Sequence, residues 1–478
     1  MIMKTIRIFL YIAVASFLFA CSEDKMDEIN KERNDALEMA AKNILPDIML
    51  KTAFEVAGTD IPWYATVYIE HSAGTWAQSA TADKRVAQND ASLFNNNWMS
   101  IYDVLNACKA VIDKTDPVNG DESTNNWARG IAYVMTAYNL ATATDMWGEV
   151  PWTEALQGAE ELTPKYDKQS FLYTEIQRLL DSAIVNLGKT SIKYGAFDYI
   201  YGGDETKWIK AAWSLKARYY LRLSQRDANA YDKALACIAN GFTSNDDNFL
   251  FAAYESSASG ENPWYQFLAD RTHLSASKTL YDLMNERVDP RIAAYFTQID
   301  GAYNPAPNGT ATESQGGVYS TSLLTENGQT APTPLMTYHE LKFIQAECLL
   351  HKGDLGWQMA MGEAVAANFQ WHGITDVQVV TDYLLNNIAP LAAVDPLKEL
   401  LTQKYIAFYE FEATEAYNDY RRTGVPSMNN PNNLTATGGF VNRFPYAISE
   451  VSSNSENVPS IDVFKNKVWW AGGNELVE

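Results

Sequence analysis

Few side chains in this sequence are spaced for covalent chemistry. His339-Glu340 opens like the zinc-binding helix motif H-E-x-x-H, but position 343 is Phe, so the second imidazole of such a site is missing. Glu347 and His351 stand one helical turn apart and could share a metal. In a chain with five histidines the spacing reads instead as a helix-surface pair. The sequence contains no phosphate-binding P-loop, no G-x-G-x-x-G after a strand and no G-x-S-x-G elbow. Cys108, Cys237 and Cys348 fall singly within apolar helical patterns and are read as buried packing thiols. No cofactor, metal or catalytic residue is therefore expected. A glycosidase needs only two carboxylates about 5–10 Å apart, and 59 acidic residues leave that possibility open. Binding chemistry is better represented: Trp63, Trp76, Trp264, Tyr265, Tyr303 and Tyr319 stand among small polar residues, several beside Asn or Gln.

The composition narrows the field further. Apolar residues make up 47 % of 478 and charged residues 20 %, enough to build a core. A net charge of −22 repels a phosphate backbone, so general nucleic-acid binding is excluded. Four cysteines exclude a disulfide scaffold.

Most of the chain has helical periodicity. The spacing predicts helices over 93–114, 126–146, 169–188, 205–225, 229–240, 275–285, 337–352, 356–369 and 396–417. Trp98 falls within an apolar stripe and is read as core. Long irregular stretches are expected at 58–92, 241–274, 297–334 and 424–478, and loops of that length are usually functional. Paired helices of these lengths resemble tetratricopeptide hairpins without a strict 34-residue period, so divergent repeats are expected.

The first twenty residues read as an address. Lys4 and Arg7 precede thirteen almost wholly apolar residues, Ile8 to Ala20, too short to span a bilayer and right for a signal-peptide core. Leu18-Phe19-Ala20-Cys21 resembles a bacterial lipoprotein cleavage site, which implies lipidation of Cys21. The acidic run Ser22-Glu23-Asp24 resembles the surface-export signal of Bacteroidetes lipoproteins. Removing residues 1–20 would leave a charge near −24 on a domain running from 21 to 478.

Six further segments, in order along the chain, resemble motifs of the SusD/RagB outer-membrane lipoproteins. Asp145-Met-Trp-Gly-Glu-Val-Pro-Trp-Thr-Glu-Ala155 resembles the turn that closes a family helix. Trp208 to Arg218 and Asp289-Pro-Arg-Ile-Ala-Ala-Tyr-Phe296 follow, then Tyr338 to Cys348. Gln403-Lys404-Tyr405 with Glu415 to Pro426 resembles another family block. Arg443-Phe-Pro-Tyr446 with Glu450, Asn454, Asn457 and Val468-Trp469-Trp470 resembles the family's terminal pattern. The resemblance implies an all-α fold of divergent tetratricopeptide-like pairs with a loop-rich ligand-binding half. It implies a non-enzymatic surface protein that caps a SusC-like TonB-dependent transporter and delivers oligosaccharides to it. Trp208, Arg218, Arg421 and Arg422 are expected to be structural, as is the helix stop punctuated by Gly148 and Pro151.

The aromatic residues suit that role. A sugar offers a flat C–H face rimmed by hydroxyls, which an aromatic ring covers while amides or charged groups satisfy the rim. Trp63, Trp76, Trp264, Tyr265, Tyr303 and Tyr319 are the candidate platform. Peptide capture for a transporter of the same type is the alternative, and a surface glycoside hydrolase a more distant one. The address makes its own prediction. Cys21→Ala should release soluble protein from the membrane fraction, and proteolysis of intact cells should degrade the wild-type chain; full protection would contradict surface display.

Overall fold

The computed structural model describes residues 39–257, 259–434 and 438–478. The leader, Cys21 and its acidic run lie outside them. Helix α1 (Ala41–Lys51) runs through a π turn, Thr52–Val56, towards α2 (Asp60–Tyr68) and the short α3 (Ala77–Asp83). Four long helices follow: α4 (Asn95–Lys114), α5 (Asn126–Trp147), α6 (Gln169–Leu187) and α7 (Glu205–Arg222), then α8 (Ala230–Ile238). The second half holds α9 (Pro263–Arg271), α10 (Lys278–Glu286), α11 (Ile292–Tyr295) and α12 (Leu324–Asn327). It continues with α13 (Tyr338–His351), α14 (Trp357–Trp371), α15 (Val377–Asp382) and α16 (Ala389–Val394). The last helices are α17 (Pro396–Ala407), α18 (Ala413–Thr423) and α19 (Ile448–Ser453). Three two-stranded antiparallel ribbons clip distant segments together: β1 (Ser72–Gly74) with β5 (Leu274–Ala276), β2 (Val150–Pro151) with β3 (Tyr166–Asp167), and β4 (Phe249–Phe251) with β6 (Thr333–Met336). The architecture is all-α.

Neighbouring helices pack in consecutive pairs, α4 on α5, α5 on α6, α6 on α7, α7 on α8 and α13 on α14; α8 joins the two series by packing on α13. Helix α5 lies at the centre and is buried almost all round, with Trp127 and Trp147 among the largest enclosed side chains. It stops at Gly148, whose φ of +82° ends the helix and whose lack of a Cβ admits the Arg443 guanidinium, 2.8 Å from where that atom would sit. Trp98, Cys108, Cys237 and Cys348 are buried as expected.

The structure corrects three expectations. The stretch 58–92 contains α2 and α3, and 241–274 contains β4 and α9, so Trp63, Trp264 and Tyr265 stand on helices. Helix α2 has no broad polar stripe, because Ile61, Tyr64, Ala65, Thr66, Val67 and Tyr68 are all buried and only Asp60 and Trp63 are partly exposed, too few to give it an amphipathic period. The single helix expected over 396–417 is two, interrupted where Glu410 takes a φ of +72°. Glu347 and His351 are not a surface pair. Glu347 is fully buried against Arg422, while His351 is exposed and stacks on Tyr231 with centroids 4.4 Å apart.

Most of the segments that resembled family motifs meet in a buried ionic network. Arg218 of α7 grips Glu340 of α13 through two hydrogen bonds and donates 2.9 Å to the carbonyl of Leu335. Arg222 pairs with Glu415 and lies 3.5 Å from Asp145. Arg422 holds Glu347 through contacts of 2.5 and 2.8 Å and also Asp419, which Lys404 meets at 2.6 Å. Arg421 is layered between Tyr417 and Trp470. Against the penalty of burial, Lys404, Arg422 and Arg222 hold the Asp419 carboxyl well below its usual range. A second knot joins Arg291 to Asp289 at 2.6 Å and to Gln403 at 3.0 Å.

Removing one partner of such a cluster strands the others. Arg422→Ala should lower stability by roughly 3–5 kcal/mol, since Glu347 would stay buried without its cation. Chemical denaturation should show the lower midpoint; an unchanged midpoint would refute the assignment. In the wild type Asp419's share of stability is complete above about pH 4, the ordinary range of an unfolded aspartate, and is lost as the pH falls below it. Asp419→Asn should flatten that acid limb.

Candidate functional site

A cleft of about 690 Å³ opens where three helices meet. One wall is the bend between the π turn and α2: Phe54, Glu55, Thr59, Asp60 and Trp63. The second is the first two turns of α4, with Asn96, Asn97, Met99, Ser100 and Asp103. The third is one face of α9, where Pro263, Gln266, Phe267, Asp270 and Arg271 recur at the three- and four-residue spacing that puts side chains on one side of a helix.

Local chemistry fixes each wall. The Asn97 amide donates to the Glu55 carbonyl at 2.8 Å and to Thr59 Oγ1 at 3.1 Å, tying the start of α4 to the bend before α2. Asn262 caps α9, its side chain accepting from the backbone N–H of Trp264 and Tyr265 at 2.8 and 3.2 Å, and Pro263 takes the first helical position. The Asn262 amide donates in turn to the Ala331 carbonyl at 2.8 Å. Gly58 lets α9 approach this bend: a Cβ there would lie 2.4 Å from Pro263 Cγ.

Trp63 and Phe267 stack across the cleft wall, centroids 4.0 Å apart and planes 18° from parallel. Around this aromatic pair stand the carboxyl groups of Glu55, Asp60, Asp103 and Asp270, one cation, Arg271, and the amides of Asn96, Asn97 and Gln266. Burial pushes the Asp60 carboxyl up to about 6, with Arg271 opposing. The cleft is thus negative at neutral pH. Among the described residues no group of three or more His, Cys, Asp or Glu is placed to hold a metal ion.

The six aromatic candidates fall in different places. Trp63 lines the cleft. Trp76 is 37 % exposed at the start of α3. Tyr319 is half-buried, its hydroxyl accepting from the Thr312 N–H at 3.2 Å, and Tyr303 is half-buried against Tyr281. The 311–320 loop is tied beside Trp76: Ser314 N–H donates to the Thr75 carbonyl at 2.9 Å, and Gln315 donates to the Arg271 carbonyl at 3.2 Å. Arg271 therefore links the cleft to the Trp76 and Tyr319 loops. Tyr265 is half-buried with its hydroxyl 3.3 Å from the Gln329 amide. Trp264 is the exception. At 2 % exposure, edge-on to Phe411, it has no face to offer a ligand. The carboxylates of the cleft and Phe267 were missed. Reading Asn262-Pro263 as a helix start would have placed residues 263, 266, 267 and 270 on one face.

Comparison with known proteins places this geometry in a family. The SusD-like family model, described as starch-binding and associating with the outer membrane, matches residues 34–447. A SusD/RagB family protein from Bacteroides thetaiotaomicron is similar at 34 % identity and a TM-score of 0.84, covering 91 % of this chain and all of that one. A SusD homologue from Parabacteroides distasonis is similar in fold at 20 % identity and a TM-score of 0.78, over 91 % of this chain and 99 % of its own. A chitin-binding SusD homologue from Flavobacterium johnsoniae shares the fold at 20 % identity and a TM-score of 0.74, over 90 % of this chain and 98 % of its own. No curated protein matches the sequence. With a matching family model over most of its length and a 34 % identical family member of the same fold, the chain belongs to the SusD-like family.

Proposed function

We propose that this protein captures neutral or amine-bearing oligosaccharides at the bacterial surface and passes them, without cleaving them, to a SusC-like TonB-dependent transporter. The observation that carries the reading is the Trp63 cleft. Its volume lies in the range of small-molecule sites, its wall is aromatic, and its rim of carboxylates and amides can accept and donate to sugar hydroxyls. The family's description as starch-binding, and the chitin-binding neighbour, support glucose-built or N-acetylglucosamine-built ligands. Trp76 and Tyr319, on the loops that Arg271 joins to the cleft, extend the platform. Lipidated Cys21 would hold the chain to the outer membrane at about 0.8 kcal/mol per buried methylene. A permanent lid on a transporter barrel should bury more than about 2,000 Å². Recovery of a large barrel with the tagged protein in mild detergent tests that partnership, and repeated recovery of this chain alone would count against it.

The rim sets the charge preference. Malto- and chito-oligosaccharides should bind in calorimetry, while oligogalacturonates of equal length should bind at least about tenfold more weakly, a gap that narrows as added salt screens the cleft. Equal affinity for the acidic sugar, or capture of peptides alone, would overturn the reading.

Stability and binding separate the aromatic roles. Trp63→Ala or Trp76→Ala should weaken oligosaccharide binding about tenfold or more while the protein stays folded. Trp264→Ala should do the reverse, costing roughly 3–5 kcal/mol of stability. If Trp63→Ala and Trp76→Ala both bind like the wild type, the platform lies elsewhere.

A further inference from the structure

A second cavity, of about 410 Å³, shares no lining residue with the Trp63 cleft. It lies between α11, α12, the end of α14 and the break separating α17 from α18. Two aromatic side chains, Trp371 and Phe411, line it, and Trp264 braces Phe411 from behind with centroids 6.2 Å apart. Three polar side chains converge on the same space: Glu410, His372 and Asn327.

None of the three is used up by the fold. Glu410 is 6 % exposed; its Oε1 accepts from the Ser322 hydroxyl, and among the described residues its Oε2 meets no donor. The imidazole of His372 rests on Tyr295 with centroids 4.7 Å apart, its ring nitrogens meeting no partner among the described residues, and the Asn327 side chain is likewise unpaired there. Tyr295 is itself anchored by its hydroxyl to the Ile406 carbonyl at 3.0 Å, so the imidazole rests on a fixed support. Glu410 takes a left-handed φ of +72°, a strained conformation for a non-glycine residue, in the break between α17 and α18. A carboxyl held in a strained backbone, with one oxygen taken by Ser322 and the other without a donor among the described residues beside an aromatic-walled cavity, is the arrangement of a ligand clamp.

We propose that this cavity is a second binding site, for one uncharged cyclic polyol such as a single neutral sugar ring, gripped between Trp371 and Phe411 with Glu410, His372 and Asn327 on its hydroxyls. The electrostatics favour an uncharged guest. Burial pushes the Glu410 carboxyl up to about 8, against the pull of Ser322, so at neutral pH it is mostly protonated and can donate as well as accept. Burial pushes the His372 imidazole down to about 3, with Arg291 and His339 adding to the effect, so the ring is neutral and offers one donor and one acceptor. The volume suits one ring rather than a chain. The site does not depend on the Trp63 cleft, and either can fail without the other.

Saturation-transfer NMR on the full mature chain tests it, with D-glucose, N-acetyl-D-glucosamine and D-glucuronate as probes. Millimolar binding of at least one neutral sugar is expected, with glucuronate at least about fivefold weaker. In the Trp63→Ala variant, which removes the platform of the first cleft, a neutral-sugar signal should persist, and adding Trp371→Ala to it should reduce that remaining signal at least about fivefold. Glu410→Gln, which keeps an uncharged donor and acceptor, should retain binding, whereas Glu410→Leu should lose it. Oligosaccharide affinity at the first cleft, measured on the Glu410 variants and on Trp371→Ala alone, confirms that these substitutions leave the protein folded. The proposal is overturned if no probe gives a signal, if Trp63→Ala abolishes it, or if adding Trp371→Ala leaves the remaining signal intact.

Discussion

The structure depends on buried guanidinium groups that must each find a carboxylate. Arg218 and Arg222 come from α7 and Arg422 from α18, far apart in sequence, and their partners stand on α13 (Glu340 and Glu347), α5 (Asp145) and α18 itself (Glu415). Hydrophobic burial alone would tolerate many relative placements of these helices. A buried cation does not, because any packing that separates it from its partner costs about 3–5 kcal/mol, a large part of a protein's net stability. The pairs therefore select one arrangement of the helices rather than adding much to its total stability. Trp470, carried in from the C-terminal tail to lie against Arg421 and Arg222, extends the same constraint to the irregular end of the chain.

The network also shows what could be read in advance. Arg218, Arg421 and Arg422 were legible as structural, with the fold class, through the resemblance to the family's motifs; Glu347 was not, because a carboxylate one turn from a histidine fits an exposed helix face equally well. The long helices α4, α6 and α7 were legible because each has one polar side to give it a period, and α5, buried almost all round, because of its length. Helix α2 was not, because it is short and buried over most of its surface. Helix α9 was not, because nine residues between irregular segments give barely two turns of pattern.

The site was only partly legible, and the reason is geometric. A ring in a polar stretch can lie on a surface or cap a core, and composition does not distinguish them. Trp63 and Trp264 look alike in the sequence, yet one lines the cleft and the other is sealed behind Phe411. What separates them is the face of the helix each occupies, which depends on where Asn262 starts α9 and where Gly58 lets it approach α2. The carboxylates of the rim carried no signal at all, as they are four among 59 acidic residues and are gathered only by the meeting of three helices.

That gathering has a consequence for recognition. Because Phe267 already covers one face of Trp63, the indole has at most one face left for a ligand, and stacking alone gives a sugar little to be discriminated by. Discrimination must then come from the polar rim, whose groups stand on α2, α4 and α9 rather than on free loops. Groups fixed by helix packing lose little conformational freedom when a ligand arrives, so each hydrogen bond they make contributes more of its strength to binding. The same rigidity limits the rim to ligands whose hydroxyls match its spacing and whose charge does not oppose its four carboxylates. The cleft's selectivity is in this sense inherited from the helix packing that the buried arginines enforce.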